Sequence, residues 1–288
     1  MLGWAQTIFS TCLNLHQLYQ SLAAPERLGI ERSLSLVHPQ FHIHLFEHLS
    51  STSAKLWELL QVGAAMGTVA IARQQSAGRG QWGRTWESPA GGLYLSLALA
   101  PNLPAAQAHC LTLYSAWGIA AALRNLGVAA LLKWPNDLVV RGRKLGGILT
   151  ETRIEAGLVT QAVIGVGLNV TNPVPATGIN LQSALANFPV SPLSRLETVA
   201  ALVLRGIIQG YHFYQQVGAV AFMKTYENLL INLGQAVNID GHSGCVIGVS
   251  EKGLLRVRLK PTQHSKESEI DLPPGAIALR YNTQNLHC

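Results

Sequence analysis

Apolar and polar positions alternate through FHIHLFEHL (residues 41–49), the period of a β-strand. SSTS (50–53) then supplies small hydroxyl residues ahead of the apolar-periodic AKLWELLQVG, the pattern of a helix start, and Gly63 supplies its stop. TVAIARQ (68–74) reads as a buried strand, and GGLYLSLAL (91–99) as another, with Leu93, Leu95, Leu97 and Leu99 on one core-facing side. AAQAHCLTLYSAWGIAAALRNLG (105–127) changes to the helical period: Leu111, Tyr114, Gly118, Ala121 and Ala122 share a side and Gly127 is a C-cap. AALLKWPNDLVV (129–140) gives strand, a turn at Pro135–Asn136, and strand. RGR (141–143) reverses the chain into the strand KLGGILTETRI. QAVIGVGLNV (161–170) is a further strand whose Gly165 and Gly167 imply a bulge or a closely approaching group.

The flanks are less regular. In residues 1–40, LHQLYQSLAA reads as a helix and PERLGIERSLSLVHPQ as a connector. Residues 172–192 are loop-like, Ser194 and Glu197 have capping-box spacing, and Leu196, Val199, Val203 and Ile207 then form a helical stripe. The aromatic cluster YHFY (211–214) and a second helix, VAFMKTYENLL, follow. The tail reads as short strands with glycine turns, QAVNIDG, GCVIGVS, GLLRVRLK and IALRY, forming a small β-barrel or sandwich. Strands and helices mix without a regular βαβ period, so the expected class is α+β. The expected division is an N-terminal extension (1–40), a catalytic domain (41–232) and a small C-terminal domain (233–288).

Composition narrows the classes. The chain has 288 residues, 48% apolar and 12% charged, which suits a folded core and excludes a disordered chain. The net charge of +6 favours an anionic ligand, but no long basic tract is present, which argues against nucleic acid as the main partner. Cysteines 12, 110, 245 and 288 show no metal-type CxxC spacing. The N-terminus lacks the basic n-region of a signal peptide, and the alanine-rich run is broken by Arg124, Asn125 and Lys133, so a cytoplasmic protein without a membrane span is expected. His42, His44, His48 and His109 have no acidic or cysteine partner at zinc-ligand spacing.

The chemistry concentrates in four segments. QQSAGRGQWGRTW (74–86) sets Arg79 and Arg84 among Gly78, Gly80 and Gly83. The glycines let backbone amides approach an anion, and the arginines are permanently charged donors. The pattern equally fits a solvated surface loop, and it is neither a Walker A motif nor GxGxxG. KWPNDL places Lys133, Asn136 and Asp137 at a proline turn, RKLGGIL puts Lys144 before Gly146 and Gly147, and GVGLNV carries Asn169. Each of these also has an ordinary structural explanation when taken alone.

Taken together and in order, GRGQWGRTW, GGLYLS, KWPNDL, KLGGIL and GVGLNV resemble the biotin protein ligase family, strongly over about residues 45–170. The tail resembles that family's SH3-like barrel. The resemblance implies a mixed-sheet ligase-like catalytic domain, related to class II aminoacyl-tRNA synthetases. It also implies a two-step reaction in which biotin and ATP give biotinyl-5'-AMP and pyrophosphate, and the biotin then passes to a lysine of a biotin carboxyl carrier protein, by default that of acetyl-CoA carboxylase. By the same resemblance, Ser51, Thr52 and Ser53 meet the biotin head, with Ser53 where the family often has Asn, and Gln75 hydrogen-bonds biotin. Gly78, Arg79 and Gly80 line the biotin and adenylate pocket. Arg84 belongs to the phosphate loop and Trp86 stands near the adenine. Lys144 contacts the biotin carboxylate and the α-phosphate, making it, with Arg79 and Arg84, the expected catalytic group. Gly147 lies beneath biotin. Lys133, Asn136, Asp137 and Asn169 surround ATP, with Mg²⁺ near the phosphates and Asp137 its candidate ligand.

Residues 1–40 show no clear helix-turn-helix pair, so the form expected is the monofunctional one, without DNA as a partner and with a homodimer possible through sheet edges. The rival readings are a lipoate or octanoate ligase and a non-enzymatic biotin-responsive binder. One departure from the family stands out: Gln81 lies where many members carry Arg in a GRGRRGR loop. A lost charge-assisted contact is worth about 1.5–3 kcal/mol. Biotinyl-adenylate is therefore expected to leave this protein faster than its Gln81→Arg variant, and equal release rates would refute the expectation.

Overall fold

The computed structural model describes residues 13–30, 39–186, 191–261 and 268–281. Cys12, Cys288 and residues 31–38 of the expected connector lie outside them. Helix α1 (Leu15–Leu22) is capped by Asn14 and leads into a one-turn 3-10 segment, Pro25–Leu28. Strand β1 (His42–Leu49), helix α2 (Thr52–Gln61, capped by the Ser51 hydroxyl), and strands β2 (Thr68–Gln75), β3 (Leu93–Leu99) and β4 (Leu103–Pro104) follow. Then come α3 (Cys110–Asn125), β5 (Leu131–Lys133), β6 (Asp137–Val140), β7 (Arg143–Glu155), β8 (Leu158–Leu168), the short α4 (Leu181–Ala184) and α5 (Leu196–Glu227). Strands β9 (Ala236–Ile239), β10 (His242–Val249), β11 (Leu255–Leu259) and β12 (Ser268–Leu272) complete the chain.

The main sheet is eight-stranded and mixed, in the order β1-β2-β3-β8-β7-β6-β5 with β4 on β8. Only β1 and β2 run parallel, and every other pairing is antiparallel. This is a mixed α/β layer with α3 and α5 packed behind it, around a core that includes Leu95, Leu97, Ile119, Leu168 and Leu204, each at most 1% exposed. Thr112 of α3 bonds Thr150 of β7 at 2.8 Å, so the helix layer is tied to the strand that carries Lys144. No helix of the described residues is long and apolar enough to cross a membrane.

The structure corrects several expectations. The C-terminal region is not an SH3-like β-barrel. It is an open four-stranded antiparallel sheet, β12-β11-β10-β9, with β12 and β9 as its two unjoined edges among the described residues. Closing a sheet needs enough tilted, staggered strands to bring its edges together. The expected fourth strand, IALRY, is irregular here and lies along the cleft described below, while SEIDL forms β12 instead. The capping box does not form either. The N-cap of α5 is Arg195 and not Ser194, its guanidinium has no acceptor to offer the helix amides, and Glu197 accepts instead from the Asn14 amide at 2.8 Å. The helical stripe and the second helix are continuous except at Gly218, whose φ of 77° breaks them apart. The N-terminal segment is docked on α5: Leu18 and Leu22 are buried, and the buried Arg205 guanidinium donates to the Leu22 carbonyl at 2.7 Å.

Candidate active site

Strand β2 ends at Gln75 and releases the glycine-arginine loop, which folds back on itself. Trp86 N bonds Gly78 O at 2.9 Å, Gly80 N bonds Arg84 O at 2.7 Å, and Arg79 bridges Thr85. The tip turns at Trp82 and Gly83, with φ of 61° and 71°. A methyl on Gly78 would lie 2.3 Å from the Trp86 carbonyl, so this glycine allows the hairpin to close. Arg79 is held in a bidentate pair with Glu151 of β7, at 3.0 and 3.1 Å, and Glu151 also accepts the Trp57 indole N–H at 2.9 Å. Arg84 makes no ion pair among the described residues and lines the cleft.

The turn between β5 and β6 and the start of β7 supply the cleft's charged wall. A bulge in the β6–β7 pairing puts Val139 opposite Lys144, and the Lys144 backbone is fixed on its other side by Thr177 O and Ile179 N, both at 2.9 Å. Lys144 Nζ stands 2.7 Å from Asp137 Oδ1 and 5.2 Å from the centre of the Trp86 ring. The Oδ1 contact is ionic without an aligned hydrogen bond. Lys133 Nζ lies 3.6 Å from Asp137 Oδ2, and the Tyr281 hydroxyl donates to that same oxygen at 2.5 Å. Burial holds the Lys133 ammonium below its ordinary pKa, with the Lys144 charge acting in the same direction and Asp137 opposing. Burial, then the Asp137 charge, pushes the Tyr281 phenol far up, so it stays a proton donor.

At the other end the wall is polar and uncharged. Ser53 Oγ is 3.0 Å from Ser96 Oγ, Ser96 donates to Thr52 at 2.9 Å, and Thr52 N donates to Gln75 Oε1 at 2.8 Å. Gln75 Nε2 then donates to Ser88 at 2.8 Å. The two β8 glycines meet closely approaching side chains: a methyl on Gly165 would lie 2.8 Å from Ser53 Oγ, and one on Gly167 would lie 2.4 Å from Trp86 Nε1. These walls enclose a cleft of about 640 Å³.

Most of the expected residues converge there. Ser51, Thr52, Ser53 and Gln75 line one end, Arg79, Gly80, Gln81, Arg84 and Trp86 the loop side, and Lys133, Asn136, Asp137, Lys144 and Gly147 the opposite side. Gly78 and Asn169 stand behind the wall. Asn169 is buried, bonds Asn172 at 2.9 Å and reaches the Lys144 carbonyl at 3.5 Å, which makes it a support for that lysine. The Asn136 amide is committed to the Ile148 carbonyl at 3.0 Å. Sequence reasoning missed Ser96, Glu151, Trp134, Tyr281 and the segment from Gly275 to Leu279. Ser96 left a signal, as the one small polar residue in a run of alternating leucines.

Residues 45–169 match the model of the biotin/lipoate A/B protein ligase family. The bifunctional ligase/repressor BirA of Bacillus subtilis is 30% identical over 223 residues, 74% of this chain and 68% of that one. The biotin–[acetyl-CoA-carboxylase] ligase of Paracoccus denitrificans is 37% identical over 137 residues, 45% of this chain and 55% of that one. In fold, the chain is similar to the biotin protein ligase of Aquifex aeolicus solved with biotin and ATP, with a TM-score of 0.62 and 24% identity over 80% of this chain and 95% of that one. With the sequence match running through the very strands and loops that build the cleft, the chain belongs to the biotin protein ligases of the biotin/lipoate A/B protein ligase family.

Proposed function

We infer that this protein is an ATP-dependent biotin protein ligase. The observation that carries the reading is one cleft with a neutral hydroxyl–amide end and a cationic end, where Lys144 and Lys133 flank Asp137 at 2.7 and 3.6 Å. A ureido ring presents one carbonyl acceptor and two N–H donors, which suits the Ser53–Thr52–Gln75 end. A lipoyl dithiolane offers no such groups and gains no hydrogen bond from that polar end. The carboxyl tail of biotin then points toward the cationic end.

In the first step a biotin carboxylate oxygen bonds to the α-phosphorus, the bond from that phosphorus to the bridging oxygen of pyrophosphate breaks, and pyrophosphate leaves with the electron pair. The carboxylate is already ionised, so no base is required. The demand is for placement and positive charge, met by Lys144, Lys133 and Arg84. Lysine has three N–H donors, so Lys144 can keep Asp137 and still reach the phosphate. Trp86, against Gly167, forms an apolar wall that suits the adenylate. In the second step a neutral acceptor amine bonds to the acyl carbon of the mixed anhydride, the bond from that carbon to the phosphate oxygen breaks, AMP leaves with the electron pair, and the nitrogen gives up one proton to solvent as the amide forms.

Among the described residues no three His, Cys, Asp or Glu side chains converge as a metal site, and Asp137 has two ammonium neighbours. That donor set does not suit a resident divalent ion. Mg²⁺ belongs to this reading as part of the MgATP substrate, with Asp137 the one carboxylate among the residues lining the cleft. The acceptor in this reading is a biotin carboxyl carrier protein, in keeping with the Paracoccus relative, which is named a biotin–[acetyl-CoA-carboxylase] ligase. ATP–pyrophosphate exchange tests it: exchange is expected with biotin and not with lipoate, and exchange driven by lipoate alone would reverse the substrate assignment.

A further inference from the structure

Tyr281 is brought to the charged wall from 144 residues away. Its hydroxyl takes Asp137 Oδ2 at 2.5 Å, and Lys133 Nζ, which would otherwise pair closely with that oxygen, stands back at 3.6 Å. The displaced ammonium sits over the Tyr281 ring, 4.4 Å from its centre. Asp137 Oδ1 faces Lys144, so the two oxygens of this buried carboxylate are divided between one ammonium and one phenol. The arrangement is braced. The fully buried Asn232 accepts from the Trp134 amide at 3.1 Å and donates to the Arg280 carbonyl at 3.3 Å, tying the residue after Lys133 to the residue before Tyr281.

We propose that Tyr281 is a positioning residue for adenylate formation: by occupying Asp137 Oδ2 it keeps the Lys133 ammonium from collapsing onto the carboxylate and leaves its charge turned to the cleft, where the ATP phosphates bind. The proposal rests on the ligase reading. Its physical basis is competition. A lysine in direct contact with a buried carboxylate shares its three donors with it, as Lys144 does, whereas one resting on an aromatic face keeps more of them for a second anion. The phenol supplies both parts, a hydrogen bond to the carboxylate and a face for the ammonium.

Tyr281→Phe removes the hydroxyl and keeps the ring. In the intact protein, biotin-dependent pyrophosphate release at saturating biotin and ATP is expected to slow about tenfold, the size of one charge-assisted contact. KM for biotin should not move. Transfer to a carrier protein from supplied biotinyl-adenylate, which bypasses the phosphate step, should change less than about twofold, well under the effect on the first step. Tyr281→Leu, which also removes the ring beneath Lys133, is expected to lower pyrophosphate release further and to raise KM for ATP. The proposal is overturned if the Phe variant releases pyrophosphate at the wild-type rate, or if both half-reactions slow equally, since that would mark a general loosening of the fold. A wild type without biotin-dependent release would sink the ligase reading and this proposal with it; an active wild type beside an unaffected Phe variant sinks the proposal alone.

Discussion

Lys144→Ala is expected to slow biotin-dependent pyrophosphate release by about 10²–10³-fold, the loss typical when one preorganised donor to a developing charge is removed. The argument is placement. The lysine backbone is pinned by Thr177 O and Ile179 N at 2.9 Å, and its head is pinned by Asp137 at 2.7 Å. An ammonium held in this way needs no reorganisation when negative charge moves onto pyrophosphate. Lys133 and Arg84 remain in the variant, which is why the loss is finite. The fold should survive, because Asp137 keeps the Tyr281 hydroxyl on its second oxygen, with the Lys133 charge 3.6 Å away. Its orphaned Oδ1 is expected to cost about 1–3 kcal/mol, read as a modest fall in melting temperature. Lys144→Arg, which retains charge but not shape, should recover part of the rate. Pyrophosphate release from Lys144→Ala within tenfold of wild type would show that the charge at this position does not serve the phosphate.

Much of this site was readable because its parts lie on neighbouring hairpins. The turn of KWPNDL joins β5 to β6, RGR joins β6 to β7, and β7 pairs β8, so Asp137, Gly147 and Gly167 fall side by side in register. Local chemistry plus short connections was enough to bring them together. The two glycines of GVG were also informative, since the approaching groups they imply are Ser53 and Trp86. Tyr281 was not readable for a physical reason. The segment 275–281 shows the alternation of a strand, but alternation records burial on one side and not pairing of the backbone. A segment laid across a cleft satisfies it as well as one added to a sheet edge. The barrel expectation failed on the same point, since it counted IALRY as a strand. Glu197 failed differently: its spacing suits a cap, yet it is used by Asn14, 183 residues away. No local pattern encodes a partner at that separation. The same limit hid the docking of α1 on α5 and the Glu151 clasp on Arg79.

Gly118→Ala is expected to lower the stability of this protein by wedging two packed helices apart. Helices α3 and α5 cross where Gly118 faces Gly206 and Gly210. A Cβ on Gly118 would lie 1.9 Å from the Gly206 carbonyl oxygen and 2.7 Å from the Gly210 amide, and one on Gly210 would lie 1.9 Å from the Tyr114 carbonyl oxygen. These are backbone atoms of packed helices, so no side-chain rotation relieves the contact and the helices must move apart. Alanine would otherwise favour a helix over glycine by about 0.5–1 kcal/mol. Overpacking that shifts backbone costs about 1–3 kcal/mol, and with the contact as close as this at the upper end of that range the net effect is expected to be about 2 kcal/mol. Separation would also pull apart the aromatic stack beside the crossing, where Tyr114 lies on Tyr214 at 4.1 Å and Trp117 on Phe213 at 4.4 Å. For a chain of this size the loss corresponds to a fall in melting temperature of about 4–8 °C. Gly63→Ala is the control. It meets open space but has φ of 93°, so it carries conformational strain without a clash and is expected to cost about 1 kcal/mol. Because Thr112 of α3 bonds Thr150 of β7 at 2.8 Å, a displaced α3 should also disturb the strand bearing Lys144, and activity should fail below the temperature of global melting. A Gly118→Ala protein that melts with the wild type would mean that the two helices do not approach this closely in solution.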